Sequence, residues 1–203
     1  MKKIFDNKTD ILAIINIAWN VIYGIFNLVM MARNQSYWYL AIAIFFLILG
    51  LMRLMGYVAE KKRFSNVNKY AGVVMLLLAV ALNGINVITI KESINPSKNM
   101  ILVIAQATFT FTVFVLAIIN VIHANNKKDI YMLVNRNVAF ASAVGSMLSL
   151  ERSMLGTFGN PADVFTTQME TYTGGAAFIL LIVLGIGMLK VDKWKKNDRT
   201  LNR

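Results

Sequence analysis

The fold class of this chain is decided by one stretch, YWYLAIAIFFLILGLMRLMGYVA, at residues 37–59. Its single charged residue is Arg53, and it ends at the charged run EKKR at residues 60–63. An α-helix needs about 20 mostly apolar residues to cross the hydrocarbon core of a bilayer. The stretch is therefore predicted to be a transmembrane helix.

Five further segments have the same character. They run from about residue 11 to 32, 71 to 90, 101 to 122, 130 to 155 and 173 to 191. The fifth helix in the chain, from 130, is the weakest, because NRN at residues 135–137 interrupts its start. The first is predicted to be a retained helix, since it is longer than the apolar core of a signal peptide. The longest predicted connection is 156–172. We therefore predict an all-α membrane protein with six transmembrane helices, a single membrane domain over residues 1–203 and no soluble domain.

The composition supports a membrane as the solvent. Hydrophobic residues make up 57% of the chain, charged residues 15%, and the mean hydropathy is +0.58. A soluble domain is roughly 45–50% apolar and about 25% charged. The chain has no Cys and one His, His123, which excludes thiolate chemistry and multi-histidine metal sites. We expect no metal ion and no cofactor.

The net charge of +11 is explained by topology. If the N-terminus is cytoplasmic, 16 of the 21 Lys and Arg residues lie in inside segments and 3 in outside loops, and Arg53 and Arg152 lie within helices. Cytoplasmic loops of membrane proteins carry such an excess of basic residues. We therefore predict a protein of the cell membrane with both termini in the cytoplasm, and no nucleic-acid partner.

The two halves of the chain share landmarks in the same order. LMRLM at residues 51–55 and LERSM at 150–154 each lie late in a predicted helix, and a Tyr-x-Gly tripeptide opens both the third and the sixth helix. Three helices is an odd number, so two copies would lie in the membrane with opposite orientation. The landmarks predict inverted repeats over residues 10–91 and 100–191, an arrangement found in transporters. A chance alignment of apolar sequence is the alternative.

Polar residues recur at helical spacing inside the predicted spans. The first helix carries Asn16, Asn20, Tyr23 and Asn27, the fifth carries Ser142, Ser146, Ser149 and Ser153, and the fourth carries Asn120. The spacing i, i+4, i+7, i+11 keeps each set on one helix face, and lipid cannot satisfy polar groups, so each face must meet other helices or water. Two interpretations stay open: a polar path, or close helix packing through hydrogen bonds.

Arg53, Glu151 and Arg152 are the clearest charged residues within the spans. Intramembrane charges are costly and tend to face a cavity or a partner. The two arginines are candidates to bind an anionic group, because a guanidinium pairs bidentately with carboxylate or phosphate. Snorkelling to the headgroups is the alternative. Glu151 pairs poorly with its chain neighbour Arg152 and is a candidate substrate-binding residue or proton carrier.

Catalytic constellations are missing from the sequence. A Ser-His-Asp triad would need His123, and no intramembrane Asp supports it. Neither HExxH nor a phosphate-binding loop occurs. We therefore predict that the protein is not an enzyme. Trp38 falls near a predicted membrane interface, where tryptophan is enriched.

Several stretches carry a family resemblance, namely YWY at 37–39, LMR at 51–53, NVAFA at 137–141, SLERSML at 149–155 and TGG at 173–175. Through them the chain resembles a group of small six-helix integral membrane proteins from low-GC Gram-positive bacteria. The activity of that group is uncharacterised, so the resemblance implies a bacterial source and a topology but no substrate. The three-plus-three plan is also similar to that of trimeric intracellular cation channels, which add a seventh helix and whose motif residues do not occur here.

Together these features predict a small multi-pass transporter or channel for an anionic solute, with its site between the two repeats. The predicted site residues are Arg53, Arg152, Glu151, Asn16, Asn20, Asn27, Asn120 and Tyr23. The alternative class is a non-transporting membrane accessory, immunity or sensor protein that acts through helix–helix contacts. The expected partners are the lipid bilayer, a small anionic solute, and a second copy of the chain or another membrane protein.

Overall fold

The structure, a computed structural model, describes residues 7–62, 67–91, 100–126, 130–159 and 163–201. These residues form six α-helices: α1 (Asn7–Asn34), α2 (Tyr37–Lys62), α3 (Val67–Lys91), α4 (Met100–Asn126), α5 (Ile130–Phe158) and α6 (Val164–Leu201). The predicted all-helical class with six helices is confirmed. The basic runs at 60–63 and 127–128, on which the predicted orientation depends, have side chains outside the described part of the structure.

Five helices are long and apolar enough to cross a membrane, which indicates a membrane protein. The candidate spans are Ala13–Asn34, Tyr37–Ala59, Val67–Ile90, Met100–Ile122 and Val164–Lys190. The prediction of six spans is thus confirmed for five, and α5 does not meet the same criterion. The reason is a series of polar residues on α5, most of which are buried against other helices. A helix surrounded by protein needs no continuous apolar surface.

The two helices α2 and α5 pack against each other at the centre of the bundle. Around them, α1 packs against α2, α4 against α5, and α3 against α6, while smaller contacts join α2 to α3 and α5 to α6. In the α2 span 56% of the residues are buried, compared with 28–33% in the other four candidate spans. The outer helices instead expose large apolar side chains such as Ile101, Phe111 and Val183, as expected of a surface solvated by lipid.

Helix α6 begins earlier than the sequence predicted. Most of the predicted connection 156–172 is helical, because α5 continues to Phe158 and α6 begins at Val164. Asp163 caps α6, since its Oδ1 accepts a hydrogen bond from the backbone N–H of Phe165 at 3.3 Å, and Asp is a favoured residue at this position. The additional turns place Glu170 within α6, beside the end of α5.

Candidate functional site

A column of buried polar side chains runs along α5. We call it the polar column and define it by five α5 residues and the side chains that contact them: Asn135, Ser142, Ser146, Ser149 and Arg152. Each of the five is at most 3% exposed. At about 1.5 Å of rise per residue, the distance from Asn135 to Arg152 is roughly 25 Å, which approaches the roughly 30 Å thickness of a bilayer's hydrocarbon core.

One end of the polar column, the amide end, is a cluster of asparagines and Arg53. Asn16 of α1 and Asn120 of α4 form a reciprocal amide pair with N···O distances of 3.1 and 3.0 Å. Nδ2 of Asn135 donates to Oδ1 of Asn120 at 2.8 Å. Arg53 of α2 donates from Nη1 to the backbone carbonyl of Asn16 at 3.0 Å. These bonds join four helices through neutral acceptors.

The middle of the polar column is uncharged. The Ser142 hydroxyl donates to Oδ1 of Asn20 at 3.2 Å, and the Thr110 hydroxyl of α4 donates to the carbonyl of Ser146 at 3.2 Å. One turn farther along, Nε2 of Gln106 donates to Oγ of Ser149 at 3.3 Å. Tyr23, which is fully buried, lies beside Ser149 and Asn27. The column here is therefore lined by hydroxyl and amide groups of α1, α4 and α5.

The opposite end, the ion-pair end, is built around Arg152. Its Nη1 donates to Oδ1 of Asn86 on α3 at 3.0 Å, and its Nη2 lies 3.7 Å from Oε2 of Glu170 on α6. The guanidinium carbon lies 4.4 Å from the ring centroid of Trp38 on α2, which is the geometry of a cation–π contact. Trp38 is completely buried among the helices.

Several amides of the polar column retain unused hydrogen-bonding capacity. Nδ2 of Asn20, Oδ1 of Asn27 and Oε1 of Gln106 are buried and have no hydrogen-bond partner among the described residues. Buried polar atoms in proteins nearly always have a partner, which can be water. The Asn20 and Gln106 atoms lie in the uncharged middle of the column, beside Ser142 and Ser149, so this stretch can bond to further polar groups.

The structure brings most of the predicted site residues to the polar column. Those in or beside it are Asn16, Asn20, Tyr23, Asn27, Asn120, Arg53 and Arg152. Arg53 and Arg152 are not brought together, because they lie at opposite ends. Both are only 3% exposed and are held by other helices. Glu151 lies outside the column, in a groove between α5 and α6.

Sequence reasoning missed the partners of Arg152. Glu170 was assigned to the connection before the sixth helix, because residues 164–172 are too polar to extend an apolar segment. The signal that could have found it was Asp163, a helix-capping residue type followed by apolar Val164 and Phe165. Nothing in the sequence connects Asn86 of α3 with Arg152.

Comparison of the chain with family models, with curated proteins and with solved structures found no match. Within the described residues, no group of three or more His, Cys, Asp or Glu side chains could hold a metal ion. Function is therefore inferred from the geometry of the polar column.

Proposed function

We propose that the protein is a small multi-pass transporter or channel, and that its solute path follows the polar column. The observation that carries this proposal is the length of the column: a buried polar series of roughly 25 Å between two arginine clusters. Helix packing in membranes is usually achieved with small residues and a few polar ones. A series this long, in which amide atoms of Asn20 and Gln106 have no hydrogen-bond partner among the described residues, fits a path that is closed in this conformation.

Helix pairing supports the proposal that the path lies between two inverted three-helix repeats. Exchanging α1, α2 and α3 for α4, α5 and α6 maps the main packed pairs onto one another. The α1–α2 pair becomes α4–α5, α2–α3 becomes α5–α6, and the α2–α5 and α3–α6 pairs map onto themselves. The exchange also relates Arg53, late in α2, to Arg152, late in α5. Transport sites in such folds lie at the repeat interface.

The solute is proposed to be a small anion that competes with Glu170 for Arg152. At 3.7 Å the contact of Arg152 with Glu170 is longer than the 2.7–2.9 Å typical (roughly) of a strong charge-assisted hydrogen bond. A carboxylate or phosphate could therefore take the place of Glu170 on the guanidinium. Displacing Glu170, which belongs to α6, would loosen α6 from α5 at this end and admit the solute to the column. With both termini in the cytoplasm, the ion-pair end is the outer end.

A second candidate function has an observation of its own. The side-chain amides of Asn16, Asn120 and Asn135 bond to one another across three helices. An interhelical amide network of this kind is what a membrane accessory, immunity or sensor protein would use to fix its helices. Such a protein would have a partner in the membrane and no flux.

Flux in proteoliposomes tests the proposal. Wild-type protein would be compared with Arg152→Ala, Arg152→Lys and Glu170→Gln, under separate gradients of chloride, inorganic phosphate and a potassium salt of an impermeant anion. Ile179→Ala is the matched control, because Ile179 is on the outer surface at 63% exposure. Anion flux is expected in wild type and in the control. Arg152→Ala should reduce it by about tenfold or more, and Glu170→Gln should lower the half-saturating anion concentration, because the competing carboxylate is gone.

Two results would overturn the proposal. Folded wild-type protein that carries none of these anions would favour the accessory class. Anion flux that is unchanged in both Arg152 variants would place the path elsewhere. The Arg152→Lys variant keeps the charge but loses the bidentate fork, so an intermediate flux would identify guanidinium geometry as the selective feature.

A further inference from the structure

A groove lies between α5 and α6, outside the polar column. Its volume is about 330 Å³, which lies within the size range of roughly 300–1,000 Å³ for small-molecule sites. The wall from α5 is formed by Val144, Met147 and Leu148, and the wall from α6 by Met169, Ala176 and Leu180. Met147 is 53% exposed and Leu180 52% exposed, so the groove opens on the face that the proposed membrane would cover.

One carboxylic acid interrupts this apolar lining. Glu151 lines the groove, and its Oε1 is buried with no hydrogen-bond partner among the described residues. The only other polar side chain along the lining is Thr173, which lies beside the Glu151 carboxyl group. A carboxylate with an unpartnered oxygen in apolar surroundings is costly unless a positive charge offsets it.

Arg152 attracts Glu151 electrostatically but makes its own side-chain contacts elsewhere, with Asn86 and Glu170. Arg152 follows Glu151 in the chain, so the two side chains leave α5 about 100° apart. Arg152 turns into the bundle, where Glu170 lies 3.7 Å from its Nη2. The local balance among the described residues is therefore two carboxylates, Glu151 and Glu170, against one guanidinium. The carboxylate in excess is that of Glu151, which lines the groove.

We propose that the groove binds a lipophilic organic cation that enters from the membrane. Its positive centre would lie against the Glu151 carboxylate, where the low dielectric strengthens the attraction, and its apolar body would lie along the two walls. Met147 and Met169 suit a ligand of variable shape, because methionine side chains adapt to their neighbours. This site is separate from the polar column and does not depend on the proposed transport function.

The test is a comparison of two ions of the same shape and opposite charge. Tetraphenylphosphonium and tetraphenylborate would be titrated into the full-length protein in detergent micelles, with empty micelles as the reference. Wild-type protein is expected to bind the cation at least about tenfold more tightly than the anion, because only the cation is attracted by Glu151. Glu151→Gln should bring the two affinities to within about twofold, since it removes the charge and keeps the shape.

A pair of methionine variants separates the groove from the general surface of α5. Met147→Ala, in the groove wall, should weaken cation binding about threefold or more through lost apolar contact. Met154→Ala is the control, because Met154 is on the same helix at 46% exposure and does not line the groove. Its binding should equal that of wild type.

Three outcomes would overturn the proposal. They are equal binding of the two ions by wild-type protein, a charge preference that survives in Glu151→Gln, and no binding of either ion beyond that of micelles. The last would assign the groove to lipid chains or to a neighbouring helix. No flux is measured, so each of these failures would leave the proposed transport function standing.

Discussion

The two ends of the polar column hold their arginines in different ways. At the amide end, the observed bonds run among Asn16, Asn120 and Asn135, and the guanidinium of Arg53 donates to a backbone carbonyl. At the ion-pair end, Arg152 contacts a carboxylate, an amide and an aromatic ring, each on a different helix. The first cluster is a network of amides, and the second converges on one side chain.

This difference predicts how much stability each end loses when one of its side chains is substituted. A single substitution in the network of neutral amides removes only a few hydrogen bonds, and each interhelical hydrogen bond in a membrane protein contributes only about 0.6 kcal/mol. The ion-pair end depends on Arg152 to connect α5 with α2, α3 and α6. Loss of that side chain also leaves the carboxylate of Glu170 without its cation, and removing one partner of a buried pair costs more than the pair contributes.

The largest effect is therefore expected from Arg152→Ala. It should lower the free energy of unfolding by about 3–5 kcal/mol, the usual cost of leaving one member of a buried ion pair without its partner. The double variant Arg152→Ala/Glu170→Gln should recover part of that loss, because no uncompensated charge remains. Equilibrium unfolding in detergent micelles measures both. Equal losses in the single and the double variant would mean that the ion pair is not what stabilises this end.

A smaller effect at the same end is expected from Gly174→Ala. A Cβ at Gly174 would collide with Nδ2 of Asn86, so the Asn86 amide, which accepts a hydrogen bond from Arg152, would have to shift. Overpacking of this kind costs about 1–3 kcal/mol. We therefore expect Gly174→Ala to lower the free energy of unfolding by about 2 kcal/mol.

The neighbouring position provides the control for that substitution. A Cβ at Gly175 has no atom within 4 Å, so Gly175→Ala changes only helix propensity and should be neutral or stabilise by up to about 1 kcal/mol. Both variants would be compared by thermal unfolding in the same detergent. If they shift the midpoint in the same direction by the same amount, the contact of Asn86 with α6 is not required for packing.

The sequence allowed more to be predicted about helices than about their partners. Hydropathy located the helices because a bilayer imposes one length and one polarity on every span. The Ser142, Ser146, Ser149 and Ser153 pattern correctly predicted the buried face of α5, since all four are buried and helical spacing depends only on the local chain. Helix α5 does not meet the hydropathy criterion for a span, because the face that packs on other helices need not be apolar.

Partners could not be predicted, because they depend on how distant helices come together. Asn16 and Asn120 are 104 positions apart in the chain, and either could have packed on several other polar residues of the bundle. Glu170 illustrates a second limit. It lies in the polar first turns of α6, and only the position of α6 against α5 makes it the counter-ion of Arg152. The separation of Arg53 and Arg152 also follows from the packing of α2 against α5.

The smallest effect tests the amide end. Asn120→Ala removes the acceptor for Asn16 and Asn135 and the donor to Asn16. Since each such bond contributes about 0.6 kcal/mol, we expect the free energy of unfolding to fall by about 1–2 kcal/mol. Thr108→Ala is the matched control on α4, because Thr108 is exposed and its hydroxyl donates to the carbonyl of Ile104 in the same helix. This substitution should change the free energy of unfolding by less than about 0.5 kcal/mol. Both would be measured by the unfolding assay used for Arg152→Ala. A loss at Asn120 as large as that at Arg152 would contradict the distinction between the two ends, because the amide network would then depend on a single residue as strongly as the ion pair does.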